Sequence, residues 1–442
     1  MLISFPDGKL KNVKQINIAP GLRLIVGFAL LIIVGSILLY LPISYVPSTA
    51  MSYVNALFVS TSAVCVTGLT PIDIGMTLTV FGKIVLAILI QIGGLSFASF
   101  AIFFLFITGK QISQQNRSLL RATLNSNSSQ GLVGLVRTVV TFAFSIEIVG
   151  AILTYIAINK DYTIGKAIGI SIFHSISSFN NAGFDLFGHY NSLTNYSTNS
   201  LMLITTAVLI ILGGLGFIVI VDLFHFKSWR KLKNHSRIVL IMTLILLVTG
   251  TIAIFFSEGS ISWLSAFFES VTTRTAGFNS IDTASLKEPT LVIVMFLMFI
   301  GANPGSTGGG IKTTTFFAII KSLFATGGKK EPVAFKRRIP QVSITKAYSV
   351  FVLAQGAIII ASLGILLKEG NTFSLIQVLF EVISAFATVG LSMGITGLLS
   401  SCSKVILIII MFIGRLGPLT MVTSWVTKHH NLRYVEEDIL IG

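Results

Sequence analysis

The sequence predicts an all-α polytopic membrane protein built from four pseudo-repeated units, each a spanning helix, a short re-entrant helix and a second spanning helix. Three observations carry that prediction. Of 442 residues, 53% are hydrophobic and only 11% charged, with a mean hydropathy of +0.88. That leaves too little polar surface to cover a soluble core. Eight apolar stretches approach the ~20 residues needed to cross a bilayer. Between them one short segment is written four times: Leu57–Leu69 (LFVSTSAVCVTGL), Ile172–Phe184 (IFHSISSFNNAGF), Ala266–Phe278 (AFFESVTTRTAGF) and Leu379–Leu391 (LFEVISAFATVGL).

The eight stretches are Leu22–Leu41, Val80–Ile107, Leu132–Ile158, Leu201–Leu223, Ile238–Phe256, Leu291–Leu323, Ala347–Leu367 and Val405–Val426. Only the sixth carries a long interruption, Asn303–Gly310. No small-residue cleavage site follows the first stretch, so it is expected to be retained as a span. Cys65 and Cys402 form no disulfide or zinc spacing.

Orientation follows from the basic residues. The net charge of +15 is read as loop lysines and arginines rather than as a nucleic-acid surface, and no nucleic acid is expected as a partner. Sorted by the spans, 22 of the 31 Lys and Arg fall on one side, six on the other, and Arg274, Lys312 and Arg415 at membrane depth. The basic side holds both termini and the connections rich in Arg117, Arg121, Lys231, Lys233, Arg337 and Arg338. By the positive-inside rule it is cytoplasmic.

The opposite connections hold the four repeats. Val54–Val64, Ile168–Ser178, Ser262–Thr272 and Phe373–Ser384 are too short to span and suit re-entrant helices. Residues 1–19 then form a cytoplasmic N-terminus, and 20–109 the first unit. Residues 110–130 are a cytoplasmic linker, 131–226 the second unit, 237–327 the third with an intramembrane loop at 302–312, 346–428 the fourth, and 429–442 a C-terminal tail. A second repeat confirms the register. Gly93, Gly213, Gly301 and Gly414 follow the repeat glycines by 25, 30, 24 and 24 residues.

Non-helical backbone at membrane depth is tolerated only where protein or water surrounds it. Four re-entrant returns can face one axis, giving helix–pore-helix–helix units around a central pore. Their freed carbonyls can replace the hydration shell of a cation. Glycine allows such a turn at low steric cost. The expected selectivity filter is Val66, Thr67, Gly68, Asn181, Ala182, Gly183, Thr275, Ala276, Gly277, Thr388, Val389 and Gly390. Side chains do not match around the ring: Cys65, Asn180, Arg274 and Ala387 share one layer, and Val66, Asn181, Thr275 and Thr388 the next. Selection by a ring of charges is therefore disfavoured, and the backbone remains as the shared element.

Asn303, Pro304, Gly305, Ser306, Thr307, Gly308, Gly309 and Gly310 cannot form regular helix, because proline lacks a donor and the glycines weaken the rest. With Lys312 and Arg415 they are the expected gate below the filter. Arg415 stands where the first two units carry Gly94 and Gly214. A charge at that depth marks function by default, and a buried ion pair with Asp222 is the competing expectation. Arg274 is expected to brace its loop against an acid such as Glu269 or Asp282. Glu269 and Glu381 are read as braces or as sources of negative potential. Glu147 and Asp222 receive no role. His174 is read as a packed polar residue rather than a ligand, and no transition metal is expected. Gly305–Thr313 (GSTGGGIKT) approximates a phosphate-binding loop, but Ile311 intervenes before Lys312 and no strand precedes it.

The segments SAVCVTGL, SSFNNAGF, TTRTAGF and SAFATVGL, with GANPGSTGGGIKTTT and MFIGRLGPLT, resemble the Trk/Ktr/HKT superfamily of potassium transporters along essentially the whole chain. Within it they resemble most the membrane subunit of bacterial Ktr systems. The resemblance implies potassium uptake across the bacterial cell membrane, a homodimer, and control by a cytoplasmic octameric ring of nucleotide-binding regulatory subunits. It implies potassium at the filter as substrate, no cofactor in this chain, and sodium as a candidate activator. In the plant branch a serine at the first filter glycine accompanies sodium selectivity; Gly68 here favours potassium. The tail Asn431–Gly442 resembles one that helps form the dimer contact. The partners expected are therefore a second copy, the regulatory ring and membrane lipid. A sodium-coupled, alternating-access secondary transporter is the rival reading, and broken spans in inverted or parallel repeats would favour it. A membrane enzyme lacks an acid/base pair, a nucleophile motif or metal spacing at depth.

Overall fold

The computed structural model describes residues 20–47, 49, 51–95, 132–226, 228–328 and 330–425. The predicted N-terminal segment 1–19, residues 96–107 of the second predicted span, the predicted linker 110–130 and the predicted tail 429–442 lie outside these residues. Apart from a two-residue hairpin, Val333–Ala334 against Arg337–Arg338, the regular structure described is helical.

Each unit begins with a long helix: α1 (Pro20–Tyr40), α4 (Leu132–Ile158), α8 (Asn234–Glu258) and α12 (Gln341–Glu369). All four are long and apolar enough to cross a membrane singly. The short helices follow as α2 (Tyr53–Cys65), α5 (Ile164–Phe179), α9 (Trp263–Thr272) and α13 (Leu375–Ala387). Three begin on a serine whose hydroxyl accepts from a first-turn N–H: Ser52 from Asn55, Ser262 from Ser265 and Ser374 from Gln377. Such caps satisfy donors that an isolated helix start leaves open. Gln377 completes a capping box with Ser374. Thr163 precedes α5 without a side-chain bond.

Among the described residues the second spans of units two and four depart from expectation and are broken helices, while that of unit three is interrupted where expected. α6 (Ser200–Gly214) and α7 (Phe217–Phe224) meet at 99°. α10 (Glu288–Phe299) and α11 (Thr313–Gly327) flank the 300–312 loop, and α14 (Ser401–Leu416) is separated from α15 (Pro418–Trp425) by Gly417. In the first unit α3 (Val80–Gly94) is described only to its glycine point. The physical cause is local. Gly216 and Gly417 take φ of +93° and +85°, a region other residues rarely adopt, so the helix cannot continue through them.

Small residues dock each short helix on its neighbours. Ser60, Ser175 and Ser270 donate to the carbonyls of Ile32, Glu147 and Leu247 at 2.7, 2.6 and 3.0 Å. Each carbonyl lies three residues before a glycine (Gly35, Gly150, Gly250) whose missing Cβ leaves room for that serine. Val382 takes this place in the fourth unit, where apolar packing with α14 and α12 substitutes. On the other flank, a methyl group on Gly93, Gly213 or Gly414 would overlap the carbonyl of Val64, Phe179 or Phe386 at the end of the same unit's short helix. Close approach between helices in membranes depends on such small residues.

Candidate functional site

Past each short helix the chain turns the same way. Val66, Asn181, Thr275 and Thr388 have φ of 57°, 57°, 80° and 52°. Three of the four are β-branched, for which this left-handed conformation is an outlier costing ~1–3 kcal/mol each. Two residues later Gly68, Gly183, Gly277 and Gly390 return to positive φ, at 93°, 69°, 79° and 99°. Side chains differ in the first of these layers, yet the backbone repeats.

Hydrogen bonds to the helix end hold that backbone. The N–H groups of Thr67, Ala182, Ala276 and Val389 donate to the carbonyls of Ser62, Ser177, Thr272 and Ser384 at 2.7, 2.7, 2.9 and 2.9 Å. The hydroxyls of the same four residues accept from Gly68, Phe184, Phe278 and Gly390 N–H at 3.0, 2.9, 2.8 and 3.1 Å. Ser62, Ser177, Thr272 and Ser384 were missed by sequence reasoning. Their signal is a hydroxyl six residues before the glycine in three copies and five before it in the third.

The four glycines close a ring. A methyl group on Gly68 would sit 2.6 Å from the Ala182 carbonyl oxygen and 3.1 Å from Gly183 Cα. One on Gly183 would sit 2.5 Å from the Ala276 oxygen. On Gly277 it would overlap the Val389 oxygen, and on Gly390 the Thr67 oxygen. Each loop therefore touches the next in chain order and the last touches the first. The twelve predicted filter residues lie together, eleven of them buried and Gly390 half-buried.

The 302–312 loop passes beneath this ring. Asn303 donates through Nδ2 to the Gly214 carbonyl at 2.8 Å and to Thr243 Oγ1 at 3.2 Å. Its own Oδ1 accepts from the Thr313 hydroxyl, which ties the two ends of the loop together. Thr307 N–H donates to the Gly213 carbonyl at 3.3 Å, and Phe217 N–H to the Gly305 carbonyl at 2.8 Å, so the bend between α6 and α7 seats the loop. Pro304 lies over Gly216, where a Cβ would come 2.6 Å from its carbonyl oxygen. Ser306 donates to the Asn303 carbonyl at 2.7 Å. Gly309 N–H donates to Thr388 Oγ1 at 3.0 Å, and any Cβ on Gly308 would overlap Thr275 Oγ1. Gly310 packs on Ala387. Lys312 Nζ folds back on the carbonyls of Gly308 and Gly309 at 2.6 and 3.3 Å.

Arg415 joins this loop to the first unit. Nη1 donates to the Thr307 carbonyl, and Nη2 to the carbonyls of Gly93 at 2.6 Å and Gly94 at 3.4 Å. The alternative ion pair with Asp222 is not formed; Asp222 instead accepts from Lys233 N–H at 3.0 Å. The expected acid partner of Arg274 is also absent. Its Nη1 reaches only the Thr243 carbonyl, at 3.3 Å, while Glu269 accepts from Ser280 N–H and Oγ at 3.1 and 2.9 Å. Asp282 caps the turn that follows, accepting from Ala284 N–H at 3.1 Å. Acid and base in unit three were near in sequence, but the carboxylate turns outward to its own loop.

Glu381 repeats the Glu269 arrangement. It accepts from Ser392 Oγ at 2.9 Å and from the Thr396 hydroxyl. His174 lies 2.9 Å from Thr206 Oγ1 and against the Phe278 ring, as a packed polar residue. Glu147 gains partners that sequence did not reveal. It accepts from Gln91 Nε2 at 2.9 and 3.2 Å and from Asn180 Nδ2 at 3.1 Å, joining units one and two.

A multi-pass helical membrane protein with four re-entrant loops converging on one glycine ring is a narrow class. The sequence matches the TrkH family, described as cation transport proteins, over residues 28–258 and 237–436. The chain is 39% identical to the Ktr system potassium uptake protein B of Bacillus subtilis, covering 98% of this chain and 99% of that one. It is 37% identical to the potassium/sodium uptake protein NtpJ of Enterococcus hirae, again over 98% and 99%. The fold is similar to that of the crystallised potassium transporter TrkH from Vibrio parahaemolyticus, with a TM-score of 0.74, 20% identity, and coverage of 94% of this chain and 88% of that one. The chain belongs to the TrkH family of cation transport proteins. It is a transport protein rather than an enzyme.

Proposed function

We propose that the chain takes up potassium through a filter formed by the carbonyls of Val66–Gly68, Asn181–Gly183, Thr275–Gly277 and Thr388–Gly390. The observation that carries this reading is the closed ring of four glycines, each packed on the carbonyl before the next. Its close spacing leaves no space for side chains at that level, so the groups left to replace water around a cation are carbonyl dipoles. The names of the full-length relatives, a potassium and a potassium/sodium uptake protein, support potassium as cargo.

The 302–312 loop is the gate, and Arg415 is its latch. The guanidinium takes carbonyls from the loop and from the first unit at once, so releasing it frees one side of the loop. A fixed filter above a movable loop is favoured over alternating access, because the breaks in the second spans lie at the level of this loop while the ring above is continuous. The protein works in the bacterial cell membrane with both termini cytoplasmic. It pairs as a homodimer on a cytoplasmic nucleotide-binding ring; the "Ktr system" in the relative's name supports such a partner. Sodium acts, in this reading, as an activator rather than the main cargo.

The test is flux in reconstituted vesicles with potassium or sodium as sole cation, with and without Gly68→Ser. Potassium should pass preferentially, and the serine should reduce that preference. Equal sodium and potassium flux in the unmodified protein would overturn the selectivity assignment.

A further inference from the structure

The third filter loop carries a cation that the transport reading does not use. Arg274 stands three residues before Gly277, in the layer that Cys65, Asn180 and Ala387 fill in the other loops. It is only 7% exposed. The one ion pair among the described residues joins Arg338 to Glu331 at the surface, far from this site in role and in exposure. Arg274 has a single long bond to the Thr243 carbonyl, and its Nε has no partner among the described residues. A buried guanidinium without a counter-charge is costly in any protein interior, and more so at membrane depth. Beside a cation path it would also repel the cargo.

A cavity of about 20 Å³ opens against this side chain, between units two and three. Aliphatic groups from Ile210, Leu247 and Val271 form most of its wall. Thr243 and Asn303 add the polar part. Asn303 Nδ2 donates to Thr243 Oγ1, which leaves the threonine's own proton to be given elsewhere. Arg274 and Thr243 both line the cavity, and the guanidinium and the hydroxyl are both hydrogen-bond donors. Its volume takes one water-sized body, which excludes sulfate, phosphate and carboxylates. A water would accept the hydrogen bonds but leave the charge uncompensated. A weakly hydrated halide satisfies the donors, cancels the charge and tolerates the aliphatic wall.

We propose that this cavity is a binding site for a monatomic anion, chloride in the cell, held by Arg274 and Thr243. The ion would neutralise the guanidinium beside Gly277. Through Thr243 it would also bear on Asn303, where the intramembrane loop begins. The binding site stands independently of the transport reading; only its effect on gating rests on that reading.

The experiment is anomalous diffraction at the bromine edge from the intact protein crystallised in potassium bromide, with Arg274→Gln and Thr243→Val alongside. A bromide peak in the cavity against the guanidinium is expected. It should vanish in Arg274→Gln and fall several-fold in occupancy in Thr243→Val, which keeps the charge and removes one donor. If Arg274→Gln does not fold, exchange of bromide for chloride in the unmodified protein should abolish the peak, and Thr243→Val still tests the donor. Ordered water without an anomalous signal, or a peak that persists in Arg274→Gln, would overturn the assignment. Because the readout is occupancy, failure here leaves the potassium reading to be judged by flux alone.

Discussion

The ring and the layer beneath it are built on opposite plans. At the ring four different sequences reach one backbone: left-handed at Val66, Asn181, Thr275 and Thr388, and again at the four glycines. Beneath it the four units do different things. The first offers the Gly93 and Gly94 carbonyls, the second bends at Gly216, the third supplies the loop and the fourth supplies Arg415. A cation coordinated from all sides needs equivalent contributions. A latch needs a loop that can be held on one side and let go. Symmetry in one layer and asymmetry in the next therefore point to different tasks.

The sharpest way to break this comparison is to add a Cβ to the ring. Gly277→Ala and Gly390→Ala combine an unfavourable φ with overlap on a neighbouring carbonyl. A cost of about 3 kcal/mol, or about a hundredfold in potassium transport efficiency, is expected in vesicle flux. A mild effect at either position would mean that the ring is looser than its contacts indicate.

The layer below should respond in the other direction. Arg415→Gln removes the charge-assisted bonds that hold Thr307 to the first unit. Potassium flux should rise about three- to tenfold, in line with the loss of one or two such bonds partly offset by the remaining loop contacts. Deleting Gly305–Gly309 should raise flux further in the same sense and weaken control by a regulatory partner. Unchanged flux in both would remove the gate from the account, whereas loss of folded protein in Arg415→Gln alone would favour a structural role.

Smaller effects should separate the outer braces from the hydroxyl collar. Glu381→Ala leaves Ser392 and Thr396 without their acceptor, and a loss of about 1–3 kcal/mol in stability is expected from thermal unfolding. Potassium over sodium selectivity should fall with it, because these bonds fix the outer limb of the fourth loop. Ser62→Ala removes one hydrogen bond from one loop of four, costing about 1 kcal/mol, with less than a threefold change in selectivity. If the serine change proved the larger, the collar rather than the glycine contacts would be the main support of the ring.

The units and the ring residues were legible in the sequence because both are periodic. Four copies of one segment give the register, and Tyr53–Cys65 begins and ends within a residue of its expected bounds. What depends on long-range approach was not legible. Nothing near Arg415 in the chain indicates that its partners are carbonyls of Gly93, Gly94 and Thr307, since these come from two other units, the first and the third. The bend at Leu215-Gly216 was hidden because an apolar run reads as a span whether or not it is straight. Arg274 was misjudged because nearby acids in sequence, Glu269 and Asp282, each satisfy a turn of their own. The alignment of Ser62, Ser177 and Ser384 is obscured by the third copy, where Thr272 stands one residue closer to its glycine.

The central claim is that a dehydrated cation rests among carbonyls at the glycine ring. Anomalous diffraction from crystals grown in rubidium, a close substitute for potassium, tests it most directly. The account predicts density on the axis at the level of the Thr67, Ala182, Ala276 and Val389 carbonyls, displaced when potassium is added in excess. Rubidium bound only below the 302–312 loop, or between units away from the ring, would contradict it.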